Sequence, residues 1–187
     1  MAYRNGNYCA FYVSEPFNPS TLGANATRDF VYYNMLKAWK AADSSFPFND
    51  SHAKTYSVRD GSNWETTLKP RLRERLQSSK NIVLFLSSKT FESRAVKEEI
   101  EYGINNQGLP VIVIYPEYNE KSDLVANGEI KTEIKNLWNK LPTFKALKIN
   151  VPVLHVPMKK ELIKAALADS EFTLAGKIKP GNYWYTV

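Results

Sequence analysis

Two continuous apolar runs separated by one helix-length segment constrain this chain more than any other feature. Asn81-Ile82-Val83-Leu84-Phe85-Leu86-Ser87 has strand length, and so has Leu109-Pro110-Val111-Ile112-Val113-Ile114-Tyr115. Between them a polar turn, Ser88-Lys89-Thr90-Phe91-Glu92-Ser93, leads into a helical stretch from Arg94 to about Asn106 that Gly108 closes. Apolar runs without polar alternation mark strands buried on both faces, and two of them joined by a helix predict a right-handed βαβ unit. At about 100° per residue, Val96, Ile100, Gly103 and Ile104 form the seam that faces the sheet. Glu98 and Glu101 then point away as solvated acids. Glu99 lies on the border of the buried face, which makes it the first carboxylate to consider for chemistry.

The remaining segments fit around that unit. Tyr8 to Ser14 reads as a first strand, ended by Glu15-Pro16-Phe17-Asn18-Pro19, whose prolines forbid regular structure. After a loop reaching Asn25 or Thr27, the residues Phe30, Val31, Asn34, Met35, Ala38, Trp39 and Ala42 repeat at helical spacing. Phe46-Pro47-Phe48 is a short strand candidate. Trp64, Leu68, Leu72 and Leu76 predict a helix that Pro70 kinks or enters at its first turn. Ile130, Ile134, Leu137, Trp138 and Leu141 give an amphipathic helix stopped by Pro142. Val151 to Val156 reads as a last strand, placed at an edge by Pro152. Met158 to Ala168 is a closing helix, and Glu171 to Val187 an irregular tail in which Tyr183, Trp184 and Tyr185 pack down. The alternation of strands and helices predicts a parallel sheet in a doubly wound α/β fold, a single domain over 1–187.

Composition narrows the function. The 187 residues are 43% hydrophobic and 24% charged, which excludes wholesale disorder, and the net charge of +6 favours anionic partners. Cys9 is the only cysteine, so an internal disulfide and a cysteine metal cluster are impossible. No apolar signal core opens the chain and no run approaches the ~18 residues of a membrane span, so the expectation is a soluble cytoplasmic protein without a membrane partner. Phosphate-loop, dinucleotide-fingerprint, nucleophile-elbow and zinc-protease motifs are absent. His52 and His155 share no ligand-like spacing, and His155 inside a strand reads as a structural histidine; no metal site is expected. Lys69, Arg71, Arg73 and Arg75 form a basic run, read as a solvated helix face; without a reading motif beside it, nucleic acid is not the favoured partner. Ligands of open α/β sheets bind beyond the carboxyl ends of the strands, here Ser14 to Phe17, Asn49 to Asp50 and Ser87 to Glu92. A polar rim, aromatic residues able to stack on a base, and one carboxylate suit a nucleotide better than a peptide.

Three stretches make the chain resemble TIR-like domains, in particular the bacterial group that includes the TIR-like subunit of the Thoeris antiphage defence system. They are Phe11-Tyr12-Val13-Ser14 at the end of the first strand, Trp64 to Ser78 leading into Asn81 to Phe91, and Ser93-Arg94-Ala95-Val96-Lys97-Glu98-Glu99-Ile100. The likeness is good over Tyr8 to Tyr115 and loose over 117–187. It implies a flavodoxin-like three-layer α/β fold, a central, mainly parallel sheet flanked by helices. It also implies cleavage of NAD, as substrate and with no cofactor, at the nicotinamide–ribose bond, giving ADP-ribose or a cyclic relative. Glu99 falls at the position of the family's catalytic glutamate. The substrate-binding residues expected with it are Tyr12, Ser14, Phe17, Asp50, Ser87 and Phe91. One carboxylate is enough for this chemistry: nicotinamide departs as a neutral ring without a general acid, and an anion beside the developing oxocarbenium ion helps. The chain departs from the pattern at the start of the helix, with Arg94 and Ala95 where such domains often carry Trp or Cys. The resemblance further implies a homo-oligomer and an effector protein that senses the product. Two alternatives stand beside this reading. Glu99 can be a structural carboxylate paired with Arg94 or another base, and the whole domain can be a non-enzymatic signalling adaptor. A receiver-type phosphoacceptor is disfavoured, because the first strand ends in Val13-Ser14 with only Glu15 nearby.

Overall fold

The computed structural model describes residues 4–10, 28–52 and 63–185, with side chains of the first helix described from residue 31. Strand β1 is Gly6–Ala10 and helix α1 is Arg28–Ala42. Helix α2, Lys69–Gln77, is entered through a wide turn of π-helical geometry over Trp64–Leu68. Asn63 starts that turn, its side-chain oxygen accepting from the backbone N–H of Glu65 at 2.9 Å and Thr66 at 3.1 Å. Pro70 falls in the first turn of α2, where its missing N–H leaves no bond unmade. The predicted βαβ unit follows as β2, Ser79–Phe85, helix α3, Arg94–Glu101, and β3, Val111–Tyr115. Ser93 caps α3 by accepting from the Val96 N–H, and a second π turn, Tyr102–Asn106, extends the helix to Gly108 at φ +64°.

Beyond β3 come α4, Lys121–Leu124, and a small hairpin of β4, Val125–Ala126, and β5, Glu129–Ile130. Its turn is Asn127-Gly128, both at positive φ. The helix expected from Ile130 is therefore shorter: Ile130 belongs to the hairpin, and α5 is Thr132–Leu137. Pro142 both ends that segment and opens α6, Pro142–Leu147. Strand β6, Pro152–Pro157, helix α7, Lys160–Ala168, and strand β7, Gly181–Tyr183, complete the chain.

The main sheet has the order β1-β2-β3-β6-β7 with every pair parallel. Side chains alternate between its faces. Tyr8, Ala10, Ile82, Leu84, Val111, Val113 and Val153 pack under α2, α3, α5 and α6. Cys9, Val83, Phe85, Ile112, Ile114, Leu154 and Val156 pack under α1 and α7. This is a flavodoxin-like three-layer α/β fold. Among the described residues no helix is long and apolar enough to cross a membrane.

Three further sequence expectations are corrected. The first strand begins at Gly6, and it buries Asn7, whose side-chain amide donates to Asn81 Oδ1 at 2.8 Å while its own oxygen accepts from the Asn49 N–H. A buried Asn is tolerable because both of its ends are matched. Phe46-Pro47-Phe48 forms no strand, since Pro47 has no N–H to give; both phenylalanines fill the α1 side of the core, and a single parallel bridge, Asn7 to Asp50, stands outside β1 instead. Strand β6 is not at the edge, because β7 pairs with it; Pro152 is its first residue, where a proline does no harm. His155 is structural as expected. Its Nδ1 meets the Tyr115 hydroxyl at 2.8 Å, Trp138 Nε1 donates to that hydroxyl at 2.9 Å, and its Nε2 meets Asn182 of β7 at 3.0 Å.

Leu84 is 1% exposed and lies between Ala10 and Val113 in the sheet. Leu84→Asp places an unpaired charge there, at a cost of several kcal/mol, and is expected to abolish folding. Circular dichroism and thermal melting check this; a cooperatively melting variant contradicts the assignment.

Candidate active site

Helix α3 brings Glu99 to the sheet because its seam is deep and one position on it is bare. Val96 and Ile100 are buried, and at Gly103 a Cβ would lie 2.5 Å from Ile82 Cδ1. Glycine lets the turn that follows α3 sit this close without shifting the end of the Ile82 side chain. Glu99, one residue before Ile100, is drawn to the edge of the sheet, where the Tyr8 hydroxyl of β1 donates to its Oε1 at 2.8 Å. Part of the residue's surface stays exposed, but Oε2 is buried and has no hydrogen-bond partner among the described residues. Burial pushes the Glu99 carboxyl up to about 8, against the opposing pull of the Tyr8 hydrogen bond and the Arg75 charge.

Glu98 is not the free solvated acid that helix geometry predicts. Its carboxylate binds Arg73 at 2.6 Å and Lys69 at 3.5 Å, and Arg73 also covers the Tyr102 ring. The basic run of α2 faces α3, so part of it is engaged rather than solvated. Arg75 from the same run acts on Glu99.

Behind Tyr8 lies a polar aromatic cluster. The Tyr8 and His52 rings are 4.7 Å apart, and His52 Nε2 reaches the Cys9 carbonyl at 3.0 Å, which requires a proton on Nε2. Burial holds the His52 imidazole down to about 4, so it is neutral at pH 7. Asp50 accepts from the His52 backbone N–H at 2.9 Å and from the Tyr33 hydroxyl at 2.6 Å, and the Tyr33 ring meets His52 edge-on.

Of the residues expected at the site, Asp50 and Glu99 are brought into one neighbourhood, linked through His52 and Tyr8. Ser87 lies in the turn after β2, its hydroxyl engaged with Thr90 and the Lys89 N–H. Phe91 stands in the same loop, 50% exposed. That loop is fixed on both sides: Glu117 accepts from the Ser88 backbone and hydroxyl, and Glu92 accepts from the Thr143 N–H and hydroxyl at the start of α6. Tyr12, Ser14 and Phe17 lie outside the described residues. Arg94 pairs with Glu65 rather than Glu99, and its guanidinium sits 4.8 Å from the Trp64 ring centre, so the indole at the start of α3 comes from the turn that enters α2.

The sequence model of a family described as "Thoeris protein ThsB, TIR-like domain" matches residues 8–121. The chain belongs to this family. The matched span of the TIR-like domain opens on Tyr8 itself and contains Glu99, so both partners of the sheet-to-helix hydrogen bond fall inside it. Helices α5 to α7 and strands β6 and β7 lie beyond it.

Sequence reading missed Tyr8, Tyr33 and His52. For Tyr8 a signal existed: it shares a strand face with Ala10, that face lies under a helix, and a buried hydroxyl there needs a polar partner. His52 carried none.

Because the folded carboxyl titrates near 8 and an unfolded one near 4.5, Glu99 supports the fold most at low pH, and that support is lost as pH rises through about 8. Glu99→Gln removes this dependence. The Tm of Glu99→Gln relative to the parent is expected to climb between pH 5 and 8 and to level off above. A difference that stays flat in thermal melts across that range contradicts a buried, neutral Glu99.

Proposed function

We propose that this TIR-like domain cleaves NAD at the nicotinamide–ribose bond, releasing nicotinamide with ADP-ribose or a cyclic ADP-ribose-type signal, in the antiphage defence that the Thoeris name denotes. One observation carries the reading: Glu99 Oε2 is buried and has no hydrogen-bond partner among the described residues, beside an oxygen that Tyr8 holds in place. A buried polar atom without a partner is uncommon in a finished structure and is the natural place for a ligand to complete.

NAD offers what that atom lacks. Its ribose hydroxyls are donors, and its pyridinium is a cation whose approach favours the ionised carboxyl. Below pH 8 the free protein holds Glu99 mainly as the acid; substrate binding releases that proton to solvent. The carboxylate then faces the developing oxocarbenium ion while nicotinamide departs as a neutral ring. Water, or a nucleophilic nitrogen of the adenine half, completes the reaction. NAD is the substrate, and no resident cofactor is invoked. Phe91, exposed on its clamped loop, and Asp50 are the described residues that we assign to substrate binding. The working form is a homo-oligomer in the cytoplasm, and a separate effector protein reads the product.

The test is nicotinamide release from NAD. Glu99→Gln is expected to lower it by ~10² or more, the loss typical of one preorganised electrostatic group, and Glu101→Gln to leave it nearly unchanged. Glu98→Gln is no clean control, because it disturbs the contacts of Arg73 and Lys69. Full activity in Glu99→Gln overturns the assignment. In the parent, kcat/KM is expected to rise with pH towards a limb near 8, the value for the free enzyme. Activity per molecule should also climb with protein concentration; a flat dilution series rules out catalysis assembled between protomers.

A further inference from the structure

We propose that Tyr8 is the positioning residue of this site, its hydroxyl fixing one oxygen of Glu99 so that the other is presented to the substrate ribose. This deepens the NAD-cleaving reading and rests on it. A glutamate has three side-chain torsions, and a helix-border position leaves them free to swing towards solvent. Tyr8 supplies what is needed to stop that. It is 1% exposed, its backbone is locked in register with Ile82 of β2, and its ring lies on His52, itself tied to the Cys9 carbonyl. A tyrosine at this point has a cost that phenylalanine would not, because a buried hydroxyl must find a partner. The partner is Glu99 Oε1.

The same bond sets when the anion forms. A hydroxyl donating to a carboxylate favours the ionised form, and so does the charge of Arg75 from α2; burial opposes both. Among the described residues, the neighbouring charged groups are engaged as follows. On α3, Glu98 is turned to Arg73 and Lys69. Beyond Tyr8, Asp50 is held by Tyr33 and the His52 backbone, His52 is neutral, and burial keeps the Cys9 thiol protonated. Tyr8 itself stays protonated, because burial and Glu99 raise its hydroxyl well above the ordinary tyrosine range. It can therefore donate at any pH at which the protein is folded and Glu99 titrates.

The experiment is a titration of the Glu99 side-chain carboxyl carbon by ¹³C NMR in protein labelled at glutamate, the resonance being assigned by its loss in Glu99→Gln. In Tyr8→Phe the midpoint is expected to move up by about one pH unit or more, the weight of one hydrogen bond to a charged group. The acid limb of kcat/KM for NAD should move with it, so that activity at pH 7 falls about tenfold or more while the loss narrows at higher pH. An unmoved midpoint, or an activity loss equal at every pH, overturns the proposal. A moved midpoint in protein that does not turn over NAD upholds the Tyr8–Glu99 link and removes the NAD reading instead. If Tyr8→Phe does not fold, the parent still decides. The Tyr8 ring carbon bearing the hydroxyl must show an inflection at the Glu99 midpoint, and its absence overturns the proposal.

Discussion

A carboxyl group is carried into the edge of an apolar sheet by a helix that has no room to stand off, and the remainder of the site follows from this. Gly103, in the π turn Tyr102–Asn106 that follows α3, leaves the end of the Ile82 side chain undisturbed where a Cβ would press on it, and the turn runs on to Gly108. Once α3 is seated, Glu99 cannot remain fully in water. Its cost is limited by one hydrogen bond from Tyr8 and by the charge of Arg75, and what is left over appears as a carboxyl that ionises only near 8. Such a shift, beside an oxygen with no partner among the described residues, marks a candidate functional site.

The fold around this site was legible wherever one periodicity ran unbroken. The β2–α3–β3 unit is spelled by two apolar runs and a helical seam, and Glu99 falls out of the seam by angle alone. Legibility failed where structure depends on a partner distant in sequence. Strand β7 is three residues long and exists only because β6 offers it an edge. The Asp50 bridge has no strand pattern at all, and Asn7, a residue that discourages strands, is buried because Asn81 and Asn49 happen to meet it. Glu98 was misread for the same reason: helix geometry says which way it points, but not that the basic face of α2 waits there. The link from Glu99 through Tyr8 and His52 to Asp50 joins three segments and follows no spacing rule.

Charge is used locally more than globally. The net +6 of the chain favours anionic ligands at a distance, but within reach of α3 the bases of α2 are already committed: Arg73 and Lys69 to Glu98, with Arg75 acting on Glu99. The loop after β2, which carries Ser87 and Phe91, is held by Glu117, just beyond β3, and by its own Glu92, which reaches Thr143 at the start of α6. The loop is thus pinned by side-chain hydrogen bonds, and Tyr8 by its register with β2. Preorganisation of this kind, more than the number of groups, is what electrostatic catalysis requires. Membership of the ThsB TIR-like family links this arrangement to the Thoeris defence context; Glu99 Oε2 is the atom on which the proposed activity rests.

The most direct measurement of that claim is a crystal structure of Glu99→Gln protein soaked with NAD. The account predicts the nicotinamide-side ribose within hydrogen-bonding distance of the side chain at position 99, with the Tyr8 hydroxyl still on that side chain's other polar atom. NAD bound elsewhere, or bound with the position-99 side chain touching no part of it, contradicts the account.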